Sequence, residues 1–310
     1  FAYRAAARAA GLLPGSVVPV VGTVGGIAAG YLLPGRRRMV VRHQRRVRGG
    51  AGRRAVDDVF ASYGRYWLEL FHLPADARRG EVAANFSVEG YERITDALDA
   101  GQGVILALPH LGGWEWAAAW MAEQGHELLA VVEALEPPEL LEWFAEQRAA
   151  MGLEVVPLGP GVSTALLRAL RDNRIVCLLC DRDLPGDGVE VEFFGERTTI
   201  PAGPALLALR TGAALLPTAV YFGAGRSHRA VVGDAVPVAR AADLRADELD
   251  AAHLHGVAVL AELRHHLLRE LRAGQPLFDR KPDQHVARRA EILHRGVGKP
   301  ELGHRIADPV

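Results

Sequence analysis

Cysteine is almost absent from this chain: Cys177 and Cys180 are the only two among 310 residues. Two cysteines are too few for a disulfide framework, so the composition favours a reducing compartment. Both lie in the apolar run 175–180, which is typical of a buried strand, and no second pair is present to complete a zinc site. We therefore interpret them as core residues and expect neither a metal nor a redox centre.

Neither sign of charge predominates, because the net charge of the whole chain is only −1. This balance gives no argument for nucleic acid or for a strongly acidic partner. No G-x-S-x-G motif occurs, which disfavours a serine hydrolase. The glycine-rich stretch near Gly22 lacks the G-x-G-x-x-G fingerprint and its strand and helix setting, so a Rossmann nucleotide site is not predicted.

Residues 9–35 contain no charged side chain; Arg8 precedes this segment and Arg36 follows it. Residues 12–33 are apolar and long enough to span a bilayer, but two prolines and five glycines interrupt them. A spanning helix, an interfacial hairpin and a buried core hairpin all stay open, and we favour the two hairpins.

A cluster of arginines follows directly after this apolar segment: Arg36, Arg37, Arg38, Arg42, Arg45, Arg46, Arg48, Arg53 and Arg54. Next to an apolar segment, such a cluster favours contact with an anionic membrane surface. A solvated helix face would show the same charges, and nucleic acid is disfavoured because interleaved aromatic residues are missing. We predict that residues 1–55 associate with a membrane.

Short apolar runs alternate with helical patterns from residue 104 onward, which predicts an α/β fold. We expect a mostly parallel, mixed sheet covered by helices on both faces, with an N-terminal apolar helical hairpin. The main domain is predicted over residues 56–285 and a helical tail over 286–310. Strands are predicted at 104–109, 128–133, 153–158, 175–180, 189–194 and 214–222, and helices at 114–124, 138–151, 162–171, 204–210 and 246–272.

A histidine and an acid stand around one strand-to-helix turn, in the stretch Pro109-His110-Leu111-Gly112-Gly113-Trp114-Glu115. Ligands of open α/β sheets bind at the carboxyl ends of strands, where His110 is predicted to lie. A carboxylate beside an imidazole selects its tautomer and leaves the second nitrogen free to take a proton. We expect His110 to be a general base oriented by Glu115, although the same pattern also occurs in ordinary structure.

The chain resembles the lysophospholipid acyltransferase superfamily, in the branch of lipid A and phosphatidylinositol mannoside acyltransferases. His110 and Glu115 match its H-x4-D/E motif. Further stretches agree in order and spacing over residues 62–278: Val132-Glu133 with Arg148, Asp181-Arg182-Asp183, residues 188–195 with Glu190, and residues 201–217. Residues 63–67 and 275–278 are more similar to the mannoside branch than to the lipid A branch.

The resemblance implies an acyl thioester donor, acyl-CoA or acyl carrier protein, and a hydroxyl of a membrane glycolipid, preferably a phosphatidylinositol mannoside. It implies that the reaction needs no cofactor or metal and forms no acyl-enzyme. It also implies a peripheral or interfacial protein at the cytoplasmic face of the plasma membrane. Substrate-binding roles are implied for five residues: Glu133, Arg148, Asp181, Asp183 and Glu190. Two alternatives stay open, namely a lysophospholipid or other glycolipid acceptor, and a non-catalytic lipid-binding protein of the same fold.

Overall fold

Four helices in succession precede the first strand: α1 (Ala2–Gly11), α2 (Val18–Leu32), α3 (Pro34–Arg48) and α4 (Arg53–Arg79). The computed structural model describes residues 2–133, 138–186 and 188–238, and all of these belong to one compact unit. The long helix α4 contacts α1, α2 and α3. It therefore ties the N-terminal helices to the rest of the fold and runs across the predicted domain boundary at residue 55.

Helix α2 packs on α4 through small residues. Gly22, Gly26 and Gly30 are buried at four-residue spacing, and side chains at these positions would collide with α4 at Phe60 and Gly64. This spacing places the glycines on one helix face and lets the two backbones approach closely. The opposite face of α2 is apolar and exposed.

The predicted apolar hairpin is a single apolar helix in the structure, preceded by a short 3-10 turn at Gly15–Val17. Pro19 lies in the first turn of α2, where a helix tolerates proline, so it does not interrupt the segment. Gly15–Leu32 is long and apolar enough to cross a membrane, and 28% of it is buried within the protein.

Seven strands form the main sheet: β1 (Phe86–Glu89), β2 (Val104–Leu108), β3 (Leu128–Val132), β4 (Leu153–Pro157), β5 (Ile175–Leu179), β8 (Ala214–Phe222) and β9 (His228–Val232). Their order in the sheet is β1-β9-β8-β2-β5-β3-β4, and every neighbouring pair is parallel except β8 with β9. Two further strands, β6 (Val189–Phe193) and β7 (Glu196–Ile200), form a separate antiparallel hairpin.

Helices cover both faces of this sheet, which confirms the predicted fold class. Alternate residues of β2 enter two separate cores: Leu106 packs with Trp114 and Met121 on one face, and Ile105 packs with Leu170 on the other. A strand buried on both faces must be apolar at every position, as β2 is. The covering helices are α5 (Glu92–Asp99), α6 (Trp114–Glu123), α7 (Pro138–Ala149), α8 (Val162–Arg171) and α9 (Gly203–Thr211).

The predicted elements from 104 to 222 are found within two residues of their expected bounds. Strands β1, β7 and β9 were not predicted. The helix expected at 246–272 and the tail at 286–310 lie outside the described residues, and the domain boundaries stay predictions.

Candidate active site

The sheet topology brings two strand ends together. Strands β2 and β5 are parallel neighbours in which Leu108 pairs with Leu179, and the Cys180 amide donates to the Leu108 carbonyl over 2.9 Å. Because parallel neighbours end at the same edge of a sheet, the residues that follow them meet there. These residues are His110 after β2 and Asp181 after β5.

Asp181 holds His110 through two hydrogen bonds. The Nδ1–H group of His110 donates to Asp181 Oδ1 over 2.7 Å, and the His110 backbone amide donates to Oδ2 over 3.2 Å. A carboxylate at Nδ1 selects the tautomer that leaves the lone pair on Nε2. Nε2 has no hydrogen-bond partner among the described residues, and 43% of the His110 side chain is exposed. The free nitrogen can therefore be reached by a substrate hydroxyl.

The charge of Asp181 is stabilised by the same contacts. Its partial burial opposes ionisation, but the hydrogen bonds and the charge of His110 outweigh burial and lower the pKa of Asp181 below its ordinary value. Asp181 is thus ionised at neutral pH and can stabilise the imidazolium that forms when His110 takes a proton.

Two glycines shape the turn that carries His110. Gly112 has a positive φ of 61°, and a side chain there would collide with the backbone of Val220 on β8. A Cβ on Gly113 would lie 2.9 Å from the ring of His228 on β9. The turn therefore rests directly on β8 and β9, and these strands fix the position of His110.

Glu115 points into the protein. It is 2% exposed, and its Oε1 accepts hydrogen bonds from Tyr66 over 2.9 Å and from Arg148 over 3.1 Å. Burial raises the pKa of Glu115, against the opposing effects of Arg148 and Tyr66. The sequence predicted Glu115 as the partner of His110, but Asp181 holds that position in the structure. The difference arises because the first turn of α6 directs Glu115 between α4 and α7.

Residues 1–240 match the profile of the bacterial lipid A biosynthesis acyltransferases. The chain belongs to this family. It is also 45% identical over 165 residues to a phosphatidylinositol mannoside acyltransferase of Mycolicibacterium smegmatis, which covers 52% of this chain and 54% of that protein.

A phosphatidylinositol mannoside acyltransferase of Mycobacterium tuberculosis H37Rv is similarly 45% identical over 166 residues, or 52% of each chain. The chain thus spans about half the length of the curated relatives that it matches. The resemblance inferred from the motifs is confirmed at the level of the family.

Two of the remaining residues that the motifs singled out, Glu133 after β3 and Asp183 after β5, follow strands that end at the same edge of the sheet as β2. Asp183 accepts hydrogen bonds from the amides of Gly186 and Gly188, each over 3.0 Å, and so shapes the loop after Asp181. Glu133 follows β3 and contacts Arg182 at 3.2 Å. The exposed Glu190 lies on β6, 3.8 Å from Arg197.

Arg148 is mostly buried and binds the carboxylate of Glu115, while its guanidinium lies 5.3 Å from the ring centres of Trp114 and Phe144. Among the described residues, no group of three or more His, Cys, Asp or Glu side chains is placed to hold a metal ion.

Two contacts of this site were not predicted from the sequence. Asp181 was assigned to substrate binding, and only its position directly after a strand indicated a further role. Tyr66, the partner of Glu115, appears in the sequence merely as one residue of an aromatic run, which lies on α4.

Proposed function

We propose that this protein is an O-acyltransferase that moves a fatty acyl group from a thioester donor to a hydroxyl of a membrane glycolipid. The observation that carries the proposal is the accessible His110 imidazole, held by an ionised Asp181 at the edge of the sheet. Family membership supports acyl transfer. The names of the two mycobacterial relatives favour a phosphatidylinositol mannoside as the acceptor.

In the proposed reaction, Nε2 of His110 takes the proton of the acceptor hydroxyl while its oxygen attacks the thioester carbonyl. Asp181 stabilises the resulting imidazolium. As the tetrahedral intermediate collapses, the new C–O bond remains, the C–S bond breaks, and the imidazolium returns the proton to the leaving thiolate. The N-terminus of α6, four residues after His110, is placed to favour the developing oxyanion.

Glu115 has a positioning role in this proposal. Together with Tyr66 and Arg148 it joins α4, α6 and α7 directly behind the turn that carries His110. Substrate contacts are proposed for the exposed Glu133 and Glu190, while Asp183 orders the loop between Asp181 and β6.

We further infer that the protein works at the cytoplasmic face of the plasma membrane. The exposed face of α2 is apolar and includes Val20, Val24 and Leu32 with exposed fractions of 61%, 61% and 80%. An exposed apolar face beside the arginines of α3 suits an anionic bilayer surface. A single interfacial helix with basic neighbours would hold the protein at the surface where lipid hydroxyls are found.

The test uses purified protein in detergent micelles with palmitoyl-CoA or palmitoyl-acyl carrier protein as donor. Acceptors are a phosphatidylinositol mannoside, a lysophospholipid and an unrelated glycolipid, and products are identified by mass spectrometry. We expect an acylated mannoside with at least one donor and near-complete loss of product for His110→Ala, without a change in thermal unfolding. Unchanged turnover by folded His110→Ala would refute the proposed base, and a preferred lysophospholipid would refute the proposed acceptor.

A further inference from the structure

Helix α3 contributes to a concave surface that is well separated in sequence from His110 and Asp181. It is an open groove of about 840 Å³ between Tyr31 at the end of α2 and the basic face of α3. Five arginines line this surface, which we name the arginine groove: Arg37, Arg38, Arg42, Arg45 and Arg46.

One wall of the arginine groove is held in place by hydrogen bonds. Arg37 donates to Asp57 over 2.6 Å and lies 4.1 Å above the ring of Tyr31. The Tyr31 hydroxyl donates to Asp57 over 3.2 Å and accepts from Arg53 over 2.7 Å. Nη1 of Arg37 is shielded from solvent and has no hydrogen-bond partner among the described residues. The wall is thus ordered and retains an unused donor.

Most of the positive charge in the groove is not neutralised. Arg46 pairs with Glu196 on β7 over 2.7 Å, but the side chains of Arg38, Arg42 and Arg45 make no hydrogen bond or ion pair with the described residues. Three exposed guanidinium groups that line one groove are suited to phosphate, because each can donate two parallel hydrogen bonds to it.

We propose that the arginine groove binds the phosphate of an anionic glycerophospholipid headgroup and so anchors the protein to a membrane. The adjacent apolar surface favours a lipid over a soluble phosphate compound: Leu32 and Leu33 directly precede α3 and are 80% and 50% exposed. They offer the acyl chains a surface beside the phosphate. The inference rests on the proposed membrane association and is independent of the proposed reaction.

Replacing arginine by lysine should weaken binding at a specific headgroup site, but it should not weaken diffuse attraction to negative charge. Lysine keeps the charge of arginine but cannot form its paired hydrogen bonds. The groove variant carries Arg38→Lys, Arg42→Lys and Arg45→Lys. The matched control carries three charge-preserving changes at exposed arginines outside the groove, Arg8→Lys, Arg36→Lys and Arg54→Lys.

Binding is measured by flotation with vesicles of phosphatidylcholine alone or with one-fifth phosphatidylinositol. No acyl donor is present and no turnover occurs, so the result can be interpreted even if the proposed reaction is wrong. Wild type and control should bind the anionic vesicles equally, and the groove variant should bind roughly tenfold more weakly. Soluble glycerophosphoinositol should displace the wild type. Circular dichroism checks that the groove variant is folded.

Equal binding by the groove variant and the control would overturn the proposal in favour of diffuse attraction. Displacement of the wild type by coenzyme A but not by glycerophosphoinositol would also overturn it, since the groove would then serve the phosphates of a donor. The proposal is supported if glycerophosphoinositol displaces the wild type from the vesicles but does not displace the groove variant that remains bound.

Discussion

The buried pair Glu69 and His228 predicts how stability depends on pH. Glu69 Oε2 lies 3.3 Å from His228 Nε2, directly behind the turn of His110, and the two residues are 5% and 2% exposed. Burial raises the pKa of Glu69 to about 7, against the opposing charge of Arg65. Burial, with Arg65 and Arg226, lowers the pKa of His228 to about 3. Between these values we expect the folded pair to carry one titratable proton, on Glu69.

The unfolded pair also carries one proton over part of this range. In an unfolded chain the pKa values are about 4.3 for glutamate and about 6.5 for histidine, so between them the histidine holds the proton. Because the folded and unfolded states bind equal numbers of protons there, the pair gives the wild type no pH slope in this window. A single substitution removes this compensation.

In His228→Phe, Glu69 remains protonated when folded and ionised when unfolded, so the free energy of unfolding should fall as pH rises. In Glu69→Gln, His228 remains neutral when folded and charged when unfolded, so the free energy should rise with pH. Each slope is at most about 1.4 kcal/mol per pH unit, or roughly 3 kcal/mol across the window. Phenylalanine also preserves the stacking on Trp116, whose ring centre is 4.3 Å from that of His228.

Urea unfolding followed by circular dichroism at pH 4.5, 5.5 and 6.5 measures these slopes for the wild type and both variants. The difference between each variant and the wild type removes the contribution of all other groups. Slopes of the same sign in both variants, or slopes equal to that of the wild type, would refute the assignment of the proton to Glu69 in the folded state and to His228 in the unfolded state.

Two further predictions concern packing and charge. Gly26→Ala should lower the free energy of unfolding by about 1–3 kcal/mol, because the new Cβ would collide with the Phe60 backbone. Gly25 faces open space, so Gly25→Ala should not lower it. Equal thermal unfolding midpoints for the two variants would contradict this prediction. Arg148→Leu should cost about 3–5 kcal/mol by leaving the buried Glu115 unpaired, and adding Glu115→Gln should restore part of it. A double variant no more stable than Arg148→Leu in urea unfolding would refute that pairing.

The sequence was most informative where a strand is buried on both faces. The apolar runs of β2, β5 and β8 indicated where these strands lie, because most of their side chains are buried in a core on one face of the sheet or the other. Strand β7 has the sequence Glu-Arg-Thr-Thr-Ile and is mostly exposed, so no apolar pattern marks it. Strand β1 has only four residues and alternates between half-buried and exposed positions, which is a weak signal.

The sequence predicted that His110 lies at the edge of the sheet, but it did not predict which acid holds its ring. His110 and Glu115 are five residues apart, and a local motif suggested that they meet. Asp181 is distant in the sequence and reaches His110 only because β5 is inserted between β2 and β3 in the sheet. Strand order depends on long-range pairing, which periodicity and composition do not encode.

Asp181, rather than Glu115, holds the ring of His110, the proposed base. The most direct test of this arrangement is kcat/KM for Asp181→Asn, with Glu115→Gln as the comparison and thermal unfolding as the check of folding. We expect a fall of about 10²–10⁴-fold for Asp181→Asn with an unchanged unfolding midpoint, and a smaller fall for Glu115→Gln. Near-normal kcat/KM in Asp181→Asn, together with an inactive but folded Glu115→Gln, would contradict it.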